Sequence, residues 1–333
     1  MCHFNNSFVD TMDFQQNAMH ILTFFEVPIH TFGTYVILFK IPASMMGVKW
    51  LMLMYHLVFA ITDILNSFFL ISYYILPVAS GMSLGLFSRF GVNATFQGYL
   101  LLTFLTMIGS VLLSFFESRY NTLVLNGINS RRRKIFRIIY ISANYIYNAT
   151  YLLPVFLNVP ERSVGQDHIR KVLPCLPEEI VTHPYQDTIA LDITYLTVLI
   201  TITVISYFAQ HSFFVWSTFF HLRAATDNIS LSEHTRKLQL LFYIAMVIQS
   251  LIPIVVVVVP MSYVVFTFSF TYYNQGYNNI TFLLIGTHGI ASTIAMLMIH
   301  RPYREATLEI FGIKKAVVTP MVASETSTRL QVN

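Results

Sequence analysis

Charge is what this chain most lacks. Asp, Glu, Lys and Arg make up 11% of its 333 residues, whereas an ordinary soluble domain is about a quarter charged. Between Val92 and Phe116 there is no charged residue at all. Cysteine is nearly absent, with only Cys2 and Cys175. The HExxH, GxSxG and CxxC motifs are missing and the histidines are scattered, so neither a metal set nor a nucleophile–base pair is legible. The chain therefore reads as a non-enzyme with no metal and no cofactor. Period-two alternation is missing too, which excludes a membrane β-barrel. Nor is there a basic, solvent-facing surface of the kind nucleic acid requires. The N-terminus has neither a basic residue nor a small-residue cleavage pattern, which points to a first span acting as its own insertion signal.

What is present is apolar: 55% of the residues are hydrophobic, and mean hydropathy is +0.60. Runs of about 18 or more apolar residues each suffice to cross a bilayer core as a helix. Seven such spans are expected, at about 19–39, 50–76, 93–116, 135–157, 193–220, 238–265 and 280–299. The fourth is the weakest, since it carries Arg137, Asn144 and Asn148 and ends on Pro154. The expected fold is an all-α membrane protein, a seven-transmembrane helix bundle. Residues 1–18 form a tail, 19–299 the bundle, and 300–333 a further helix and tail.

Lys and Arg in short loops stay preferentially on the cytoplasmic side. With the N-terminus outside and the C-terminus cytoplasmic, sixteen of the 20 Lys and Arg fall inside. Only Arg89, Arg162, Arg170 and Lys171 fall outside. Deleting span four would change the split to eleven against nine, so span four is kept and its polar residues are expected to face the bundle. The densest positive run, Arg131, Arg132, Arg133 and Lys134, then lies in a cytoplasmic loop.

Glu117, Arg119 and Tyr120 stand at the inner end of span three. Seven spans with an acid, an arginine and a tyrosine there suggest a G-protein-coupled receptor. Residues two apart on a helix point about 200° apart, so a direct Glu117–Arg119 pair is poor. Either can instead meet a residue on span six, or both are plain boundary charges. With Arg131, Arg132, Arg133, Arg223, Arg236 and Lys237 they form a candidate partner-facing surface, the rival reading being topology and anionic lipid alone. Acids inside spans are costly, and two occur. Glu26 has His30 at i+4, and Asp63 has His56 seven residues earlier on the same face. These four form a candidate buried polar hub, either repacking between states or static. Tyr99, Tyr195, Tyr263 and His288 are candidate ligand-pocket residues by depth and type.

Both cysteines fall on the outer, oxidising side, so a Cys2–Cys175 bridge is the natural proposal, a free Cys2 the alternative. Of five N-x-[ST] triplets, Asn5 is the best placed for glycosylation. Span six carries Pro253 and Pro260, expected to kink it. Beyond span seven, Tyr303, Ala306, Ile310, Ile313 and Val317 recur at helical spacing among charged residues, which predicts an amphipathic helix on the cytoplasmic membrane interface.

Four stretches carry a resemblance: "VPIHTFGTYVILFKIPASMMGVKW" (27–50), "FFESRYN" (115–121), "FLNVPERS" with "LPCLPEE" (156–179) and "HRPYREATLEIFG" (300–312). Pro28–His30, Lys40 with Pro42, Val48–Trp50, Glu117–Tyr120, Pro174–Pro177 and His300–Arg304 resemble, in order and spacing, the recurrent blocks of the nematode serpentine chemoreceptors of class H. The resemblance implies a multi-pass plasma-membrane receptor of sensory cilia. It also implies an environmental small-molecule ligand and a heterotrimeric G protein as partners. The alternatives are an odorant-receptor-like ion channel, whose N-terminus would lie inside, and a polytopic transporter, whose inverted repeats the two halves do not show.

Overall fold

The computed structural model describes residues 7–41, 43–125, 130–224 and 233–313. Its main elements are long helices opened by short polar side chains. Thr11 accepts from the Phe14 N–H at the start of α1 (Met12–Phe39). After α2 (Lys49–Ile64), Asn93 accepts from Phe96 at the start of α3 (Ala94–Leu123), and Ser130 accepts from Arg133 at the start of α4 (Arg131–Thr150). α5 spans Thr194–Ala224 and α6 Glu233–Phe270. Asn274 accepts from Tyr277 to open α7 (Gln275–Gly286), followed by α8 (His288–Ile299) and α9 (Arg301–Ile310). Each cap satisfies an N–H that the helix itself leaves without a partner.

Among the described residues, six helical stretches are long and apolar enough to cross a membrane: Met12–Phe39, Met46–Leu70, Ala94–Leu123, Thr194–Arg223, Gln239–Phe270 and Gln275–Ile299. Their outward faces carry exposed Phe24, Ile202, Phe208 and Val259, an apolar exterior that would be an anomaly in water. The fourth expected span is helical as well, as α4 with Leu153–Leu157 after it, but it is too polar to join the six. Its polar side chains do turn inward. Asn148 is fully buried and donates to Thr106 O (3.2 Å) and Ser110 Oγ (2.5 Å) of α3. Ser110 Oγ also meets Tyr207 Oη of α5 at 2.8 Å, so three helices share one polar contact.

Several boundaries differ from expectation. α1 begins at Met12, inside the expected tail of residues 1–18 and before the expected start of span one at 19. Span two does not run to residue 76. A π-helical turn, Leu65–Leu70, ends it, and Ser72–Ile75 is a strand. A short apolar run reads the same in either state, so periodicity could not separate them. That strand, β1, pairs antiparallel with β2 (Ser80–Ser83), which pairs with β3 (Gln186–Thr188) from the segment between α4 and α5. The sheet closes one end of the bundle. Tyr73, Ile75, Ile169, Leu173, Leu176 and Val181 form a small apolar core there, with Cys175 packed against it. The Arg170 guanidinium, 2.5 Å from Glu178, holds that exposed carboxyl below the usual carboxylate range. Span three is longer than expected, so Glu117 and Arg119 lie within α3 and not past its end.

The larger apolar core sits towards the opposite end, where Val36, Met52, Phe115, Phe116, Tyr243 and Tyr303 meet. α6 is a single continuous helix through Pro253 and Pro260. The interrupted helix is the proline-free stretch after it, which breaks at Thr287 between α7 and α8.

Candidate functional site

Asp63 is fully buried near the end of α2, and four groups converge on it. His30 Nε2 of α1 lies 3.1 Å from Oδ2 and His288 Nδ1 lies 2.9 Å from Oδ1. The backbone N–H groups of Gly289 (3.2 Å) and Ile290 (3.0 Å) donate to the same carboxylate. These two N–H groups belong to the first turn of α8, freed by the break at Thr287. Asp63 thus occupies the place of a cap at a helix N-terminus, where the helix dipole favours negative charge. The break and the acid explain one another: the chain can interrupt span seven inside the bundle because a carboxylate on α2 receives the freed donors.

The network extends from His30. Thr293 Oγ1 lies 3.2 Å from His30 Nδ1 and 3.4 Å from His56 Nδ1, and His56 Nε2 lies 3.0 Å from the His30 carbonyl. Glu26, also fully buried, is held separately. Its Oε2 accepts from Ser67, which in turn receives Thr23 at 2.9 Å. Glu26 and His30 share a face of α1 without bonding, because His30 turns to Asp63. All four expected hub residues are buried, and the structure adds His288, Thr293 and Ser67 to them. His288, expected as a candidate for the ligand pocket, is a member of this hub.

Close backbone approach makes this arrangement possible. A Cβ on Gly289 would lie 2.2 Å from Asp63 Oδ2, and one on Gly33 would lie 2.7 Å from His56 Cε1 and 2.8 Å from Thr293 Cγ2. Gly289→Ala is accordingly expected to displace Asp63 from α8 and to cost about 1–3 kcal/mol, the usual range for overpacking. Thermal unfolding of the purified protein in detergent measures this, and an unchanged midpoint would contradict the arrangement.

At the other end of α3, Glu117 is almost fully buried and pairs across to α4. Arg133 Nη2 donates to Oε1 at 2.8 Å, and Arg137 Nε bridges both oxygens at 2.9 and 3.0 Å. Arg133 also holds Asn121 at 3.1 Å. The acid's partner is therefore neither Arg119 nor a residue of α6. Arg119 has no ion pair among the described residues, and its buried Nε has no hydrogen-bond partner. Tyr120 packs on Phe213 and Phe214 of α5. Arg131 and Arg132 are exposed, Lys237 is exposed, and Arg223 stands 5.6 Å over the Phe219 ring. The Arg236 side chain lies outside the described residues.

The remaining candidates scatter. Tyr99 donates to the Ala149 carbonyl. Tyr195 is exposed at the start of α5. Tyr263 Oη lies 2.9 Å from the Asn278 side-chain amide. These three tyrosines do not form one pocket. Cys175 is disulfide-bonded; Cys2, the other cysteine of the sequence, and Asn5 lie outside the described residues. The helix after span seven exists as α9, with Tyr303 and Ala306 buried against the bundle. Ile310 and Ile313 are exposed, and Val317 lies outside the described residues. Immediately before α9, His300 Nε2 meets Gln249 Oε1 of α6 at 2.8 Å. Gln249 gave no sign in the sequence, being one polar residue in an apolar run.

A partly open space lies beneath the sheet. Leu102 and Leu105 of α3, Ile200 of α5, Val264 of α6 and Phe282 of α7 border it, with His288 on its wall. Of the four expected pocket residues, only His288 lines it.

The family model of the serpentine-type 7TM GPCR chemoreceptor Srh matches residues 10–313. The chain is also similar to serpentine receptor class H-72 of Caenorhabditis elegans. The two are 27% identical over 310 residues, covering 91% of this chain and 88% of that protein. The chain belongs to the Srh family of serpentine chemoreceptors, and it is a multi-pass membrane protein.

Proposed function

We propose that this member of the Srh family binds an environmental small molecule from the extracellular side and signals to a heterotrimeric G protein. The observation that carries this reading is the family match across nearly the whole bundle. The bias of Lys and Arg supports an outside N-terminus, with the residues before α1 and the sheet extracellular and residues 300–333 cytoplasmic. On that orientation a Cys2–Cys175 bridge and a glycan on Asn5 both fall outside the cell. The plasma membrane, at a sensory cilium, is the proposed location, with α9 resting on the cytoplasmic leaflet.

At the proposed cytoplasmic end, Arg119 is the group to test. Its Nε is buried without a partner among the described residues, while the neighbouring Glu117 is already engaged by Arg133 and Arg137. An unpaired buried donor is costly, and a segment of the G protein entering between α3 and α5 would supply an acceptor. Arg131, Arg132, Arg223, Arg236 and Lys237 would meet its acidic surface. Arg119→Ala is expected to lower ligand-stimulated signalling at least tenfold in a calcium reporter cell, with surface delivery unchanged. Unchanged signalling would defeat the assignment of Arg119. A constitutive ion current, or an N-terminal epitope inaccessible in intact cells, would overturn the receptor reading itself.

A further inference from the structure

The space beneath the sheet has an interior of about 70 Å³, several times the 10–15 Å³ that one water requires by the same measure. Its walls are apolar except at Thr62, Asn66, Tyr74 and His288. Thr62 donates to the Val58 carbonyl of its own helix at 2.8 Å. The Tyr74 ring lies against Phe282 with centroids 4.4 Å apart. Among the described residues, His288 Nε2 is buried with no hydrogen-bond partner, and Tyr74 Oη is buried and makes no hydrogen bond of ordinary geometry. Buried polar atoms are nearly always paired in native proteins, so each exception calls for an explanation.

The tautomer of His288 follows from its surroundings. Nδ1 faces two acceptors, Asp63 Oδ1 at 2.9 Å and the Ile285 carbonyl at 2.8 Å, so the ring proton belongs there. In the neutral ring, Nε2 is then a lone-pair acceptor turned away from the hub. A group that satisfies it must bring a hydrogen-bond donor. The apolar walls disfavour an ion, and the volume admits on the order of five water-sized groups.

We propose that this cavity is the ligand site, and that it takes a compact, neutral, largely apolar molecule with one hydroxyl, of the short-chain alcohol or phenol class, whose proton is received by His288 Nε2. Its meaning for signalling rests on the receptor reading above; binding itself does not. The same imidazole holds Asp63 through its other nitrogen, and Asp63 in turn receives His30 and the first turn of α8. A proton donated to Nε2 polarises the ring and strengthens the Nδ1–H bond to Asp63, since linked hydrogen bonds reinforce one another. Occupancy beneath the sheet is thereby felt at the junction of α1, α2 and α8.

The probe is 5,5,5-trifluoropentan-1-ol, followed by fluorine NMR on the full chain in detergent micelles, with empty micelles as the control. Saturable binding is expected, displaced by 1-pentanol at a concentration at least tenfold below that needed for 2-pentanone, which has no donor. His288→Leu should erase the tenfold preference for the alcohol. Because His288 also supports Asp63, a second variant, Ile200→Trp, fills the space from the opposite wall and should abolish binding of both. Retention of the wild-type thermal midpoint by Ile200→Trp certifies its fold. No saturable binding to the wild type, equal displacement by the ketone, or undiminished binding to a folded Ile200→Trp would each overturn the proposal. If the alcohol binds in this way but does not stimulate nucleotide exchange on any G protein, the receptor reading fails and the site stands. If another cue stimulates exchange while the probe does not bind, the site falls and the receptor reading stands.

Discussion

Asp63→Ala is expected to destabilise the bundle by about 3–5 kcal/mol, because it strands several buried donors at about 1–3 kcal/mol each. Three helices meet at this carboxylate: α2 supplies it, His30 of α1 and His288 of α7–α8 flank it, and the Gly289 and Ile290 N–H groups donate to it. Without it, the first turn of α8 loses its side-chain acceptor inside the bundle. Asp63→Asn keeps the shape and one acceptor oxygen but presents an NH₂ group to one side of the network. Its expected cost is smaller, about 1.5–3 kcal/mol, the worth of hydrogen bonds to a charged group. Denaturant or thermal unfolding in detergent measures both variants. Equal costs for Ala and Asn would mean that the charge matters and the shape does not. A negligible cost for Asp63→Ala would mean that the four convergent contacts do not support the break in span seven.

Glu117→Ala is the second large effect, expected at about 2–3 kcal/mol. That is below the range for a fully buried pair because the two arginines are 19% and 29% exposed and can swing to water. The contact is a three-body one, so the variants should not add. Arg133→Ala and Arg137→Ala each leave Glu117 one guanidinium, whereas the double variant leaves a buried carboxylate with none. The double loss is therefore expected to exceed the sum of the single ones by about 0.5–3 kcal/mol, the range for residues in one network. Unfolding midpoints of the four proteins complete this cycle. Strict additivity would show that the two arginines act independently of one another at Glu117. The same cycle separates structure from signalling, because Arg119 stands outside the cluster and its removal should leave the midpoint nearly unchanged.

Much of the organisation was legible from single residues. The burial of Glu26 and Asp63 followed from the cost of placing an acid in an apolar run. Arg137 and Asn148 could be assigned to the bundle side of the fourth segment because lipid offers them no partner. Partner identities were less accessible. Glu117 and Arg119 are two residues apart, which disfavoured their pairing, yet nothing in the spacing pointed to Arg133 and Arg137. Pro253 and Pro260 drew attention to span six, while the break fell at Thr287, in a stretch with no proline. There the cause is remote in sequence: a carboxylate 226 residues from Gly289 receives the donors that the break sets free.

By itself, then, the sequence determined the class of solvent this chain requires, the order of its long apolar segments, and the family whose ordered blocks it resembles. Each of these depends on local composition, and composition survives without coordinates. Only the tertiary structure decided where β1 replaces the end of span two, which basic residues engage Glu117, and why His288 belongs at once to the polar hub and to the cavity wall. Those outcomes depend on the direction and reach of side chains from helices far apart in the chain. Hydrogen bonds, unlike hydropathy, are made only when donor and acceptor arrive within about 3 Å of one another.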